Sequence, residues 1–338
     1  MKEALMLAPG EIVIQDEEIP EITKLEVLVR VIQFAICGTD KQIFTGEKRN
    51  VNYPHVPCHE AIGIVEKVGS CVEDVKLGDK VLLNPQVTCY HCKYCLAGYN
   101  NRCKNIKIHG ICIPGFAREY VAIDHHQVIK IPAVLSNDHA VMIEPIAVAN
   151  EMIKQAGILE EKDLLILGGG TIGNITAQLA KLFGARNVVI SEPNKLRREI
   201  AEECGLVAIN PKTKDFEKQM TEVFHNVEPE MIIDCAGYEG ALMDAINYIM
   251  IGGKILVIGE HTIDEKVDVE RIQKKFLSII GCRTYQNQDL IQVIDLLLKG
   301  YLRIKPLITD HVPFSYIDRA FKDVIKAYSK QLKVIITM

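Results

Sequence analysis

Four cysteines fall inside fifteen residues, in the pattern Cys89-x2-Cys92-x2-Cys95-x7-Cys103. The loop around them is polar, with Gly98 and three asparagines, Asn100, Asn101 and Asn105. Zinc accepts four sulfurs tetrahedrally without redox chemistry and clamps a loop that has no core of its own. The other occupant of such a set is an iron–sulfur cluster, which serves electron transfer. Four thiolates leave no open position on a zinc ion, so the expected role is structural.

A second constellation is dispersed: Cys37-Gly38-Thr39-Asp40, Cys58-His59-Glu60 and Glu144-Pro145. Cys37, His59 and a carboxylate supply three ligands of mixed softness and leave a position for water or substrate, as in a catalytic zinc site. Each residue also has a plainer use. Cys37 suits a buried apolar position, His59 a core histidine and Glu144 a helix-starting acid. Spacing alone leaves the two uses open.

A third signal is Gly168-Gly169-Gly170-Thr171-Ile172-Gly173, which follows an apolar run and opens a helical one. In G-x-G-x-x-G, Gly168 permits the tight turn, Gly170 lets a pyrophosphate reach the backbone, and Gly173 lets helix pack on strand. The helix N-terminus faces the phosphates. Glu192 ends the next apolar run, nineteen residues past Gly173, where an acid bonds the adenosine ribose hydroxyls. An acid there repels a 2′-phosphate, so NAD is expected in preference to NADP. Arg197 and Arg198 follow closely and are read as a solvated helix face.

These residues need elements to carry them. Residues 1 to about 147 read as short β-runs: 26–32, 61–68 and 80–83, punctuated by Gly, Pro and Asn. From 148 to 286 the rhythm becomes strand–helix alternation. Strands are expected at 164–167, 188–190, 231–234 and 254–258, with helices near 172–183, 194–204 and 240–249. That alternation predicts a parallel sheet with helices on both faces. Residues 287–338 read as helices near 289–299 and 316–327 and a last strand at 334–337, folding back onto the first domain.

Composition agrees with a globular α/β chain. There are 338 residues, 48% hydrophobic and 25% charged, enough for two domains. Net charge is −5, and no basic stripe flanks the cysteine loop, so no nucleic acid is expected. No apolar run approaches the ~20 residues that span a bilayer. The start lacks a signal-peptide stretch, and the eleven cysteines are odd in number. Both features point to a cytoplasmic protein without a disulfide framework.

In their order along the chain, the Cys37–Asp40, His59–Glu60, Cys89–Cys103, Glu144-Pro145 and Gly168–Gly173 motifs resemble the zinc-dependent medium-chain alcohol dehydrogenases. The resemblance covers essentially the whole chain. Glu144 within Met142-Ile143-Glu144-Pro145 resembles the polyol branch, near sorbitol, hexonate and threonine dehydrogenases. It implies a GroES-like, β-rich catalytic domain of residues 1–147 and 287–338, with a Rossmann domain at 148–286 between.

The roles it implies are carried position by position. Cys37 and His59 ligate a catalytic zinc, and Glu60 is a third or intermittent ligand. Glu144 either ligates or holds the zinc-bound water. Cys89, Cys92, Cys95 and Cys103 hold a structural zinc, making two zinc ions per chain. Thr39 relays the alcohol proton, and Asp40 orients His59 from behind. Gly168, Gly170, Ile172, Gly173, Glu192, Arg197, Ile258 and Arg283 occupy cofactor positions. A small-molecule polyol or sugar-acid substrate and a homodimer or homotetramer are implied, with threonine-type oxidation or a catalytically silent relative as alternatives.

Two departures stand out. Cys58 occupies a position that is usually Gly, and Gln42 and Ile43 replace the usual His and Tyr. The outer proton relay and the sugar contacts of sorbitol dehydrogenase therefore do not transfer.

Overall fold

The computed structural model describes residues 1–326 and 330–338. The chain divides into two compact units. One comprises 1–144, 286–298 and 308–338, the other 145–285 and 299–307. Residues 299–307, expected with the C-terminal segment, belong to the second unit. The reason is local: both the N–H and C=O of Arg303 bond to the Gln178 side chain, and the Arg303 guanidinium donates to the Glu203 carbonyl.

In the first unit, the long strand Glu26–Ile36 is the centre of a mixed seven-stranded sheet. It pairs antiparallel with Glu60–Val68, with Tyr120–Asp124 and with the C-terminal strand Lys333–Thr337. The register places Glu60 opposite Ala35 and Val334 opposite Ile36. Chain segments nearly three hundred residues apart thereby meet beside Cys37.

The helix Gly38–Thr45 follows at once and packs on the C-terminal helix Ile317–Val324, with the Phe44 and Phe321 rings 5.2 Å apart. The expected helix at 316–327 is thus shorter, and its residue 327 lies outside the described residues. The apolar faces of these strands and helices share one core that includes Phe34, Phe44, Phe116 and Phe321. Burial of those faces is what fixes the register, since a one-residue slip would turn them to water.

In the second unit, six parallel strands run in the order 207–209, 187–191, 163–167, 231–234, 254–257, 278–281. Numbered along the chain this is 3-2-1-4-5-6, the doubly wound arrangement. The strand Asp163–Leu167 is buried throughout, as a central parallel strand covered on both faces must be.

Candidate metal and dinucleotide sites

The cysteine loop is shaped by local means. A two-stranded ribbon pairs Gln86–Val87 with Lys107–Ile108 and closes its base, and a single helical turn, Lys93–Leu96, sits between the cysteines. Cys92 and Cys95 sulfurs are 3.6 Å apart, and Cys89 and Cys103 sulfurs 3.5 Å. All four sulfurs lie within 4.8 Å of one another. A tetrahedral zinc with Zn–S bonds of about 2.3 Å holds its sulfurs roughly 3.8 Å apart, so the set fits that ion. Backbone N–H donors from Cys95 and Lys104 lower the Cys92 pKa to about 6, whereas burial and the neighbouring thiols raise Cys95 to about 12.

The dispersed residues converge too. One donor atom each of Cys37, His59 and Glu60 lies within 4.8 Å of the other two. Cys37 caps the helix Gly38–Thr45, and its N–H donates to Asp40 Oδ2 at 2.8 Å. Asp40 Oδ1 accepts from the Cys58 N–H at 2.9 Å. The carboxylate thus holds the backbone on either side of the site. It stands 3.8 Å from His59 Nδ1, beyond hydrogen-bond reach, which corrects the expectation that it orients that ring directly.

His59 Nδ1 is buried and has no hydrogen-bond partner among the described residues. Burial alone pulls the imidazole pKa down, yet Cys37, Asp40 and Glu144 together raise it well above the ordinary value. The pocket is one that stabilises positive charge, as a metal site requires.

Cys58 adopts φ +69°, a left-handed conformation that explains why Gly suits this position. Its carbonyl accepts from Phe116 N–H, and a Cβ at Gly115 would stand 2.4 Å from that same oxygen. Residues 110–117 therefore lie directly against the backbone that presents His59.

Sequence reading missed one participant. Lys333, 2% exposed, donates to both Glu60 oxygens at 2.6 and 2.8 Å. Burial lowers its pKa, but Glu60 and Cys37 outweigh that and raise it. The available signal was a lysine heading an otherwise apolar final strand. Glu144 is buried in the first turn of the helix Ile143–Ala156, where Pro145 is tolerated. Its charge acts on His59 and Lys333, but it is not one of the three converging donors. Thr39 lies in the first turn after Cys37, half-buried.

In the second unit, Gly168 follows the first strand at φ +95°. A Cβ on Gly173 would stand 1.9 Å from the Gly168 carbonyl, so only Gly fits. At Gly170 no atom lies within 4 Å of a Cβ's place, leaving open space at the N-terminus of the helix Thr171–Leu182. That opening fits the approach of a phosphate to backbone N–H groups. Glu192 Oε2 accepts from Gly169 N–H at 2.8 Å, and Arg197 Nη1 lies 3.6 Å from the same oxygen. Arg198 donates to the Glu192 and Pro193 carbonyls. Ile172 is half-buried in the first turn of that helix, and Ile258 follows the strand Lys254–Val257. Arg283, two residues past the edge strand, is exposed.

Residues 23–133 match the alcohol dehydrogenase GroES-like domain, and residues 171–299 the zinc-binding dehydrogenase family. The chain belongs to the zinc-dependent medium-chain dehydrogenases. It is an oxidoreductase of the alcohol dehydrogenase type. It is 30% identical over 300 residues to 2-dehydro-3-deoxy-L-galactonate 5-dehydrogenase of Pseudoalteromonas atlantica, covering 88% of each chain. The rspB alcohol dehydrogenase of Escherichia coli CFT073, solved with NADH, superposes with a TM-score of 0.92 at 30% identity, over 100% of this chain and 99% of that one. A zinc-binding dehydrogenase from Sinorhizobium meliloti, bound to NADP, superposes at 0.91 with 27% identity, over 100% and 99%. Among the described residues no helix is long and apolar enough to cross a membrane.

Proposed function

We propose that the protein oxidises a secondary hydroxyl of a polyol or sugar acid, passing hydride to NAD, with one catalytic and one structural zinc per chain. The observation that carries the reading is the convergence of one donor atom each of Cys37, His59 and Glu60 within 4.8 Å of one another, with His59 and Glu60 buried. Zinc held there supplies Lewis acidity, lowering the pKa of an oxygen it binds and polarising a carbonyl.

The chain's own residues do the rest. Asp40 fixes the Cys37 and Cys58 backbone so that the donors stay converged. Thr39 Oγ1 takes the substrate's hydroxyl proton and hands it toward solvent. Lys333 balances Glu60, which keeps a carboxylate in a pocket that already holds a thiolate. Carboxylate beside sulfur and imidazole makes a harder site than two thiolates do, and it suits a substrate with two neighbouring oxygens. The galactonate relative acts on such a compound.

NAD is preferred because Glu192 both stands where a 2′-phosphate would be repelled and engages Arg197, the nearest cation. We assign a homodimer or homotetramer. The edge strand Ser278–Gly281 has one open side; it carries the exposed Ile279 and follows Phe276, which is 77% exposed. Thiolate-rich zinc sites work in a reducing compartment, and we place the enzyme in the cytoplasm.

The test is NAD and NADP reduction by zinc-loaded enzyme across sorbitol, xylitol, inositol, hexonates, threonine and butanediol. Turnover of a polyol or hexonate with NAD is expected. Threonine as the sole substrate would replace this reading with the amino-alcohol one, and turnover of none would support a silent member of the fold.

A further inference from the structure

His261 has no role in the sites above, yet both of its nitrogens face carboxylates. Nε2 lies 2.8 Å from Asp234 Oδ2, and Nδ1 lies 3.2 Å from Glu265 Oε1. Asp234 is fully buried at the end of the fourth strand, Met231–Asp234. Its other oxygen accepts from the Ala236 and Gly237 N–H groups at 2.9 and 3.0 Å. Glu265 accepts from the Gly240 N–H at 2.9 and 3.1 Å. One imidazole therefore ties both ends of the loop 235–240.

The neighbouring loop is locked against it. A Cβ on Gly237 would stand 2.6 Å from the Glu260 carbonyl oxygen, and one on Gly259 would stand 2.4 Å from the Gly237 nitrogen. On the other side, a Cβ on Gly168 would meet the Ala236 Cβ at 2.9 Å. The bridge is thus linked by direct packing to the first glycine of the nucleotide turn. Its place in the sheet matters. The strands ending at Leu167 and Asp234 are the neighbours where strand order reverses, and doubly wound sheets bind ligands beyond the carboxyl ends at that point.

We propose that His261 is a positioning residue for the dinucleotide: by bridging Asp234 and Glu265 it holds 235–240 and 258–265 in the arrangement that keeps the cleft beside Gly168 open to cofactor. The inference rests on reading the second unit as a dinucleotide site. The ring sets one nitrogen against each carboxylate at once, whereas an amide side chain donates from only one end. Without the ring, a buried carboxylate loses its partner and the loops lose their tie.

The test compares wild type, His261→Gln and His261→Ala in the zinc-loaded protein. NAD binding by calorimetry should weaken about tenfold or more in His261→Ala, with His261→Gln between the two. In cofactor-free protein, amide hydrogen exchange at Ala236, Gly237 and Gly240 should quicken by about tenfold in His261→Ala. If wild type and His261→Ala bind NAD alike, or if those amides exchange at unchanged rates, the proposal is overturned, whatever happens to the melting temperature. If wild type binds neither NAD nor NADP, the dinucleotide reading fails first. The exchange result on free protein then shows whether the bridge itself exists. Should His261→Ala not fold, His261→Gln alone decides by the same two readouts.

Discussion

The two candidate metal sites of the first unit are built in opposite ways. The four-cysteine site draws all its donors from fifteen consecutive residues of a loop whose Tyr90, Leu96 and Tyr99 are exposed. Its order comes from a short ribbon and a single helical turn. The Cys37–His59–Glu60 site draws donors from two segments and its counter-charge from the last strand, all held in register by a seven-stranded sheet. The first site is shaped by local turns with little core beneath them, whereas the second is shaped by the sheet and lies in a buried pocket that favours positive charge. That difference separates stability from chemistry, and it can be tested from both sides.

The largest contrast pairs Cys37→Ser with Cys103→Ser. Each should lower zinc from two ions per chain to one. Losing Lewis acidity in Cys37→Ser should cut turnover by about three orders of magnitude, roughly 4 kcal/mol, while the melting temperature changes little. Cys103→Ser should do the reverse, losing several kcal/mol of stability while the folded enzyme keeps turnover within about tenfold. Equal losses of activity in both variants would erase the distinction.

Next is the buried pair. Lys333→Met leaves the Glu60 carboxylate unpaired, which costs about 3–5 kcal/mol, or close to 10 °C of melting temperature. Lys333→Met with Glu60→Gln should recover most of it. If the single variant melts with wild type, the pair does not hold this site. The folded pKa of Lys333 is raised above its unfolded value, so the pair's contribution is complete below pH ~10.5 and is lost as pH rises through the folded value. Stability curves at pH 7 and 9 should therefore show the same gap between wild type and Lys333→Met.

The smallest effect concerns the loop after chelation of its zinc. With pKa values of about 6 and about 12, Cys92 is mostly thiolate at pH 7 and Cys95 mostly thiol. Iodoacetamide should then label Cys92 at least about tenfold faster than Cys95, and the ratio should shrink as pH rises above 6 and Cys95 begins to ionise. Equal labelling at pH 7 would show that the loop collapses once metal leaves.

Much of this was legible in the sequence because it was local. The strand–helix alternation gave the parallel sheet, and the strand at 231–234 agrees to the residue. The helix Ile143–Ala156 escaped notice because it is buried on nearly every side and so lacks an amphipathic stripe. The edge strand Ser278–Gly281 escaped for the opposite reason, being short and exposed.

Donor types and turns are readable from spacing: four clustered thiols, a Gly-rich turn, an acid nineteen residues on. Turn geometry and ligand chemistry depend on neighbours within a few positions, so they can be read from spacing. It takes the folded chain to pair Glu60 with Lys333, to set Asp40 on the Cys58 backbone rather than the imidazole, and to place His261 between two carboxylates. Those outcomes depend on strand register and on which buried charges come face to face. Long-range pairing, not local pattern, sets both.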